Sequence, residues 1–106
     1  MPKAGVWTEI SQGNVSHDHI YLRKVIDYFP ADAIGGSNAA DASAHPIKVV
    51  FSNGCSAVTD IDGDKLFLRC RSEVRKFFED QKAKPGDLVI ITKLEDRVFS
   101  FDVVAT

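Results

Sequence analysis

The stretch IKVVFSNGCSAVTDIDGDKLFLRCR, residues 47–71, decides the class of fold because it alternates apolar and polar residues around two tight-turn signals. Apolar side chains recur with period two over residues 47–51, which predicts a strand with one buried face. Asn53-Gly54 predicts a hairpin, since the favoured two-residue turn needs positive φ at both central residues. Asp62-Gly63 indicates a second hairpin. The predicted second and third strands of this antiparallel meander are residues 57–61 and 66–71.

The residues that follow predict one helix and two further strands. Ser72 is a suitable N-cap, and apolar spacing indicates a short amphipathic helix that ends near Lys82. The segment KPGD (84–87) has turn composition. It leads into an almost continuous apolar strand, residues 88–94, that we expect to be covered on both sides, and then into a closing strand, residues 97–104. One helix inserted into an antiparallel meander indicates an α+β, mostly β fold, in the form of a partly open barrel.

The segment before the meander, residues 21–38, is compatible with two local structures. A helix starting near His19, capped by Ser16 or Asp18, would bury one apolar face that includes Leu22 and Phe29. Alternatively, residues 20–22 form a short strand before a shorter helix. Pro30 ends the element in both cases. We expect residues 1–13 to be loosely ordered, with Trp7 as a lid over the core.

Length and composition indicate a single domain over residues 1–106 that needs neither disulfides nor metal to fold. The chain has 106 residues, 44% of them hydrophobic, and two cysteines, Cys55 and Cys70, which we expect to be unpaired, mostly buried thiols. No apolar run is long enough to span a membrane, and we expect a cytoplasmic location. The formal net charge of −2 argues against a dedicated nucleic-acid binder, although basic residues are dense over residues 65–84.

The predicted third strand carries the most informative surface residues. Period two directs Phe67, Arg69 and Arg71 away from the core, and an exposed aromatic ring beside two guanidinium groups can contact phosphates and bases. The alternative is an amphipathic strand whose arginines pair with neighbouring carboxylates, and the residues alone favour that alternative.

Other polar clusters match known sites poorly. Asp60, Asp62 and Asp64 surround Gly63, but the spacing of a calcium loop fails because its closing Glu position falls on Arg71. An Asp-rich hairpin turn is favoured, and its carboxylates would repel phosphate.

The remaining candidates for chemistry are weak. His17-Asp18-His19 lacks further ligands for a metal site, and Gly35-Gly36-Ser37-Asn38 lacks the Lys of a P-loop. No nucleophile elbow or Ser-His-Asp signature occurs. We therefore expect no enzyme activity, no cofactor, no metal and no small-molecule substrate.

Four segments resemble the bacterial branch of the DNA-binding pseudobarrel superfamily. They are FPADAIGGSN (29–38), VTDIDGDKLFLRCR (58–71), RKFFE (75–79) and KPGDLVIITK (84–93). That superfamily includes the DNA-binding domains of plant auxin-response transcription factors and the recognition domains of some restriction endonucleases. The resemblance implies a partly open, seven-stranded antiparallel pseudobarrel with two short helices, which grips the major groove of double-stranded DNA between two arms. It also implies that residues 7–10 and part of 21–34 are extended.

The resemblance places the two arms on particular residues. The first arm would comprise Arg23, Lys24 and residues 35–38, with Gly36, Ser37 and Asn38 among its contact residues. The second would comprise the turn at residues 62–65, with Lys65 as its basic residue, and the adjoining strand with Phe67, Arg69 and Arg71. The implied function is a non-catalytic DNA-binding module of a restriction or regulatory system, with a nuclease or other protein subunit as partner. The alternative function is a protein-interaction or accessory module on the same fold that does not bind DNA.

Overall fold

Five strands form one open sheet in the order β1-β4-β5-β2-β3 in the computed structural model, which describes residues 5–36, 38, 40 and 42–106. The strands are β1 (Gly5–Glu9), β2 (Ile47–Phe51), β3 (Ser56–Thr59), β4 (Leu88–Glu95) and β5 (Val98–Val104). The α-helices are α1 (Gln12–His17) and α2 (Arg71–Gln81), and two 3-10 helices span Arg23–Tyr28 and Ala31–Ala33. No helix in the described ranges has the length and apolar character to cross a membrane.

The mixed sheet corrects the prediction of a seven-stranded antiparallel barrel. Four neighbouring pairs hold the five strands together, and β2 pairs with β5 in parallel, with Lys48 opposite Val98 and Phe51 opposite Phe101. The other three pairs are antiparallel. The α+β, mostly β class is confirmed.

The predicted third strand, residues 66–71, is not a regular strand. Leu66 has a φ of 59°, a turn conformation that breaks the extended run, and the segment makes only isolated bridges, from Phe67 to Tyr21 and from Leu68 to Ile61. Helix α2 then begins at Arg71, before the predicted cap at Ser72, whose hydroxyl instead donates to the carboxylate of Glu73.

The first hairpin forms where it is predicted but with a longer loop. Gly54 N donates to Phe51 O at 3.0 Å, and Phe51 N donates to Cys55 O at 2.8 Å. Gly54 takes positive φ (93°), whereas Asn53 does not. This is the three-residue loop in which a turn is followed by a left-handed glycine.

The core lies between one face of the sheet and a layer formed by α2 and residues 20–34. Buried aromatic side chains dominate it, and the rings of Phe51 and Phe77 meet at a centroid distance of 4.9 Å. Strand β4 is covered on one face only: Val89 and Ile91 are buried, whereas Leu94 is exposed. The expectation of cover on both sides was therefore wrong, because alternate residues of β4 reach the uncovered face of the sheet.

The N-terminal region is more ordered than expected. Residues 5–13 form β1 and the first turn of α1. Trp7 is not a lid, since its side chain is 59% exposed. It lies opposite Ile90 on an edge strand whose alternate residues, Val6 and Thr8, take the inner face.

Residues 20–29 adopt the second of the two predicted structures, a short extended segment followed by a short helix. Tyr21 bridges to Phe67, and the 3-10 helix Arg23–Tyr28 follows. The cap predicted at Ser16 or Asp18 was wrong, because Ser11 caps α1 and Asp18 ends it in a left-handed conformation.

Candidate nucleic-acid interface

Arg69 is held by two buried carboxylates and does not face outward as a strand residue would. Its Nε and Nη2 atoms donate to the two carboxylate oxygens of Asp60 at 2.7 and 3.1 Å, a bidentate arrangement. Nη1 lies 3.7 Å from Asp62 Oδ2. Paired arginine was the alternative weighed for this strand, and for Arg69 it is confirmed.

Two of the three carboxylates in the acidic segment, residues 60–64, are buried. Asp62 is buried, and its Oδ1 accepts hydrogen bonds from the backbone N–H groups of Asp64 and Lys65 at 2.8 and 3.0 Å. Burial acts to raise the pKa of Asp62, but these hydrogen bonds and the Arg69 charge hold it below its ordinary value. Because Asp60 is also buried against Arg69, the repulsion of phosphate that this cluster predicted is weakened.

The two predicted arms meet at the Gly35-Gly36 corner. Gly35 N donates to Ile61 O at 2.9 Å, and Gly63 N donates to Gly36 O at 3.2 Å. Arg69 Nη2 donates to the same Gly36 carbonyl at 2.8 Å. A Cβ at Gly63 would collide with the backbone of Gly35, so this approach requires glycine.

At the end of the predicted first arm, the structure shows a local hydrogen bond, made by Asn38. Asn38 is exposed, and its Oδ1 accepts from the backbone N–H of Ala40 at 3.0 Å. Ser37 lies outside the described residues.

An aromatic patch covers the neighbouring surface. It consists of His17, His19, Tyr21 and Phe67, and its centre is the His19 ring stacked on Phe67 at a centroid distance of 3.8 Å. Tyr21 lies edge-on to both rings, and its hydroxyl is 3.2 Å from His19 Nδ1. These contacts join the four side chains into one cluster.

Four flanking cations, Arg23, Lys24, Lys65 and Arg71, border the aromatic patch. Arg71 Nε donates to the backbone oxygen of His17 at 3.3 Å. Burial and the nearby charges of Arg71, His17 and Lys65 lower the pKa of His19. Arg23 and Lys24 line a surface depression that shares Tyr21 with the patch.

The sequence interpretation missed His17, His19 and Tyr21 as surface residues that act together. Their recurrence at every second position was the available signal, but His17 and His19 were considered only as metal ligands. No cluster of three potential ligand residues occurs in the ranges that the structure describes.

Neither cysteine belongs to the aromatic patch. Both are unpaired thiols, as predicted, and both are partly buried. Burial raises the pKa of Cys70 to about 11, which keeps its thiol protonated and unreactive near neutral pH.

Two solved structures share the fold of this chain. The N-terminal domain of Helicobacter pylori LlaJI.R1 matches with a TM-score of 0.58 and 9% identity, over 96% of this chain and 88% of that one. The hypothetical Arabidopsis thaliana protein At1g16640.1 matches with a TM-score of 0.58 and 18% identity, over 98% of this chain and 92% of that one. No family model and no curated protein matches the sequence. At these identities the likeness establishes the fold.

Proposed function

We propose that this chain is a non-catalytic domain that binds double-stranded DNA through the aromatic patch and its four flanking cations. The observation that carries the proposal is that some basic side chains of the described residues have a carboxylate partner, whereas those around the aromatic patch do not. Six basic side chains lie within 4 Å of a carboxylate: Arg69, Arg75, Lys76, Lys84, Lys93 and Arg97. Among the remaining described basic residues, which have no such carboxylate, are the four that flank the patch.

This arrangement suits a duplex ligand on physical grounds. Cations without carboxylate partners are available to bind phosphates. When they bind DNA phosphates, the counterions condensed on the DNA are released. The imidazole and phenol groups of the patch can donate to base edges or sugar–phosphate oxygens. The resemblance to the pseudobarrel superfamily and the shared fold support the same assignment.

The proposed surface revises the predicted contacts. Arg23, Lys24, Lys65, Phe67 and Arg71 remain in it. Arg69 and Gly36 are left out because the Arg69 guanidinium and the Gly36 carbonyl are used within the protein. Asn38 and Ser37 are not needed, and His17, His19 and Tyr21 are added.

The experiment is a fluorescence-anisotropy titration of a labelled random duplex pool at low salt, followed by selection and sequencing of bound duplexes. We expect binding that weakens steeply as salt is added. Absence of binding to any duplex at low salt would refute the proposal. Lys65→Gln combined with Arg71→Gln should weaken binding. Lys48→Gln is the matched control, because Lys48 is exposed on the uncovered face of the sheet and has no carboxylate partner in the described ranges.

The uncovered face of the sheet supports a second candidate function, the protein-interaction module. Trp7 and Val104 are exposed there, on strands that flank Ile90 and Leu88 of β4. Trp7 is the sole tryptophan and reports on this face directly. Under the DNA proposal the Trp7 side chain stays exposed, so a duplex titration gives no blue shift of its emission. A blue shift on mixing with a protein partner, together with no duplex binding, would favour the second function.

A further inference from the structure

A depression beside the aromatic patch has the composition of an anion site. It lies between the end of β1, the start of α1 and the first turn of the 3-10 helix Arg23–Tyr28, and its walls include Ser11, Asn14, Arg23 and Lys24. Glu9 is the acidic side chain of the lining, so two cations face one carboxylate and the walls are net positive. Neither Arg23 nor Lys24 has a carboxylate partner in the described ranges, so both can turn toward an entering anion.

Asn14 supplies a second, independent observation. Asn14 is only 5% exposed. Its Oδ1 accepts a hydrogen bond from the backbone N–H of Ser11 at 2.7 Å, which fixes the orientation of the side-chain amide. Its Nδ2 is the one buried side-chain nitrogen or oxygen without a hydrogen-bond partner in the part of the chain that the structure describes. Buried donors of this kind are rare in native proteins and call for an explanation.

We infer that the depression holds one phosphate group of the DNA backbone, with Arg23 and Lys24 supplying charge and Asn14 Nδ2 supplying the buried donor. Nδ2 is closed to solvent in this state. Donation from Nδ2 to a phosphate oxygen therefore requires the wall of the depression to open beside Asn14. Tyr21 belongs to both the depression and the aromatic patch, so a phosphate held here leaves the patch against the same duplex. The inference rests on the proposed function for the source of the phosphate.

Asn14→Asp is the discriminating variant because it changes the charge and keeps the shape. A carboxylate oxygen still accepts the Ser11 N–H, so the cap of α1 is retained, but the donor is replaced by an acceptor that repels phosphate. Inorganic phosphate is the first probe, added to the ¹⁵N-labelled protein at constant ionic strength against a chloride reference. We expect the Asn14 side-chain amide resonances and the Ser11 backbone resonance to move with phosphate and not with chloride.

Duplex DNA is the second probe. We expect Asn14→Asp and Arg23→Gln each to weaken duplex binding about 10-fold, as for the loss of one charge-assisted phosphate contact. Arg23→Gln should also make the slope of log K against log salt shallower by about 1. Thermal unfolding checks that Asn14→Asp folds, and Arg23→Gln, at an exposed position, carries the test if it does not. Lys48→Gln should match the wild type.

The outcomes separate this inference from the proposed function. Duplex binding that survives both variants unchanged, with Asn14 resonances that ignore phosphate, overturns the phosphate site and leaves the DNA-binding proposal standing. Absence of duplex binding by the wild type, with Asn14 resonances that respond to phosphate, supports the anion site and overturns DNA as its source.

Discussion

Neutralising Lys65 and Arg71 should halve the salt dependence of duplex binding. The four flanking cations lie around one patch, and each is free of a carboxylate within the described ranges. If each of the four cations displaces one counterion condensed on the duplex, log K should fall against log salt with a slope of about −3.6. Raising the salt fourfold would then weaken wild-type binding about 150-fold. Lys65→Gln with Arg71→Gln should leave a slope of about −1.8 and a loss of about 12-fold over the same range.

The assay is anisotropy of a labelled duplex at several potassium chloride concentrations, with the slope as the measured quantity. The slope is more informative than a single affinity because it reports the number of released counterions. A variant with slightly altered packing shifts the whole plot of log K against log salt but leaves its slope unchanged. Lys48→Gln should keep the wild-type slope. An unchanged slope in the double variant, or an equal reduction in the control, would refute the assignment of these cations to phosphate contacts.

Three further outcomes test the environment of the site. Arg69→Met leaves Asp60 and Asp62 buried without their cation, and should lower the free energy of unfolding by on the order of 3 kcal/mol in urea denaturation; a loss under about 1 kcal/mol would contradict a buried pair. The pKa of His19 is lowered by burial and by the charges of its neighbours, so the unfolded chain binds its proton more tightly. Stability should therefore fall as pH drops below 6.5, and His19→Gln should flatten that part of the curve of unfolding free energy against pH. With a pKa of about 11, Cys70 should react with a thiol reagent at pH 8 far more slowly in the native chain than in urea, in a Cys55→Ser background; equal rates would show that burial does not protect it.

Local elements were predictable wherever a short pattern determines structure by itself. Strand β2, the hairpin at Asn53-Gly54, helix α2 and the turn before β4 all occur where period and turn composition place them. The parallel pairing of β2 with β5 was not predictable, because nothing local distinguishes a strand that pairs with its neighbour in sequence from one that pairs with a distant strand. The resemblance implied an open fold but a different strand count.

The sequence predicted which charged residues lie near the candidate site. It did not predict which of them form ion pairs within the protein. Period two alone directed Arg69 and Arg71 to the same side. The left-handed turn at Leu66 breaks that regularity, and Arg69 turns to the Asp60 and Asp62 carboxylates instead. The stacking of His19 on Phe67 joins residues 48 positions apart, and no spacing rule connects them. Tertiary contacts, not propensity, determine which of these polar residues remain available to a ligand.

The central position of β5 determines when this chain can fold during synthesis. Strand β5 lies between β4 and β2, and β1 joins the sheet only through β4. A nascent chain that has released residues 1–87 therefore has no partner for β1 and none for the free edge of the β2/β3 hairpin. Long-range pairing of this kind is slow and leaves strand edges exposed. We expect the sheet to assemble late, after β5 has left the ribosome, and in one cooperative step rather than strand by strand.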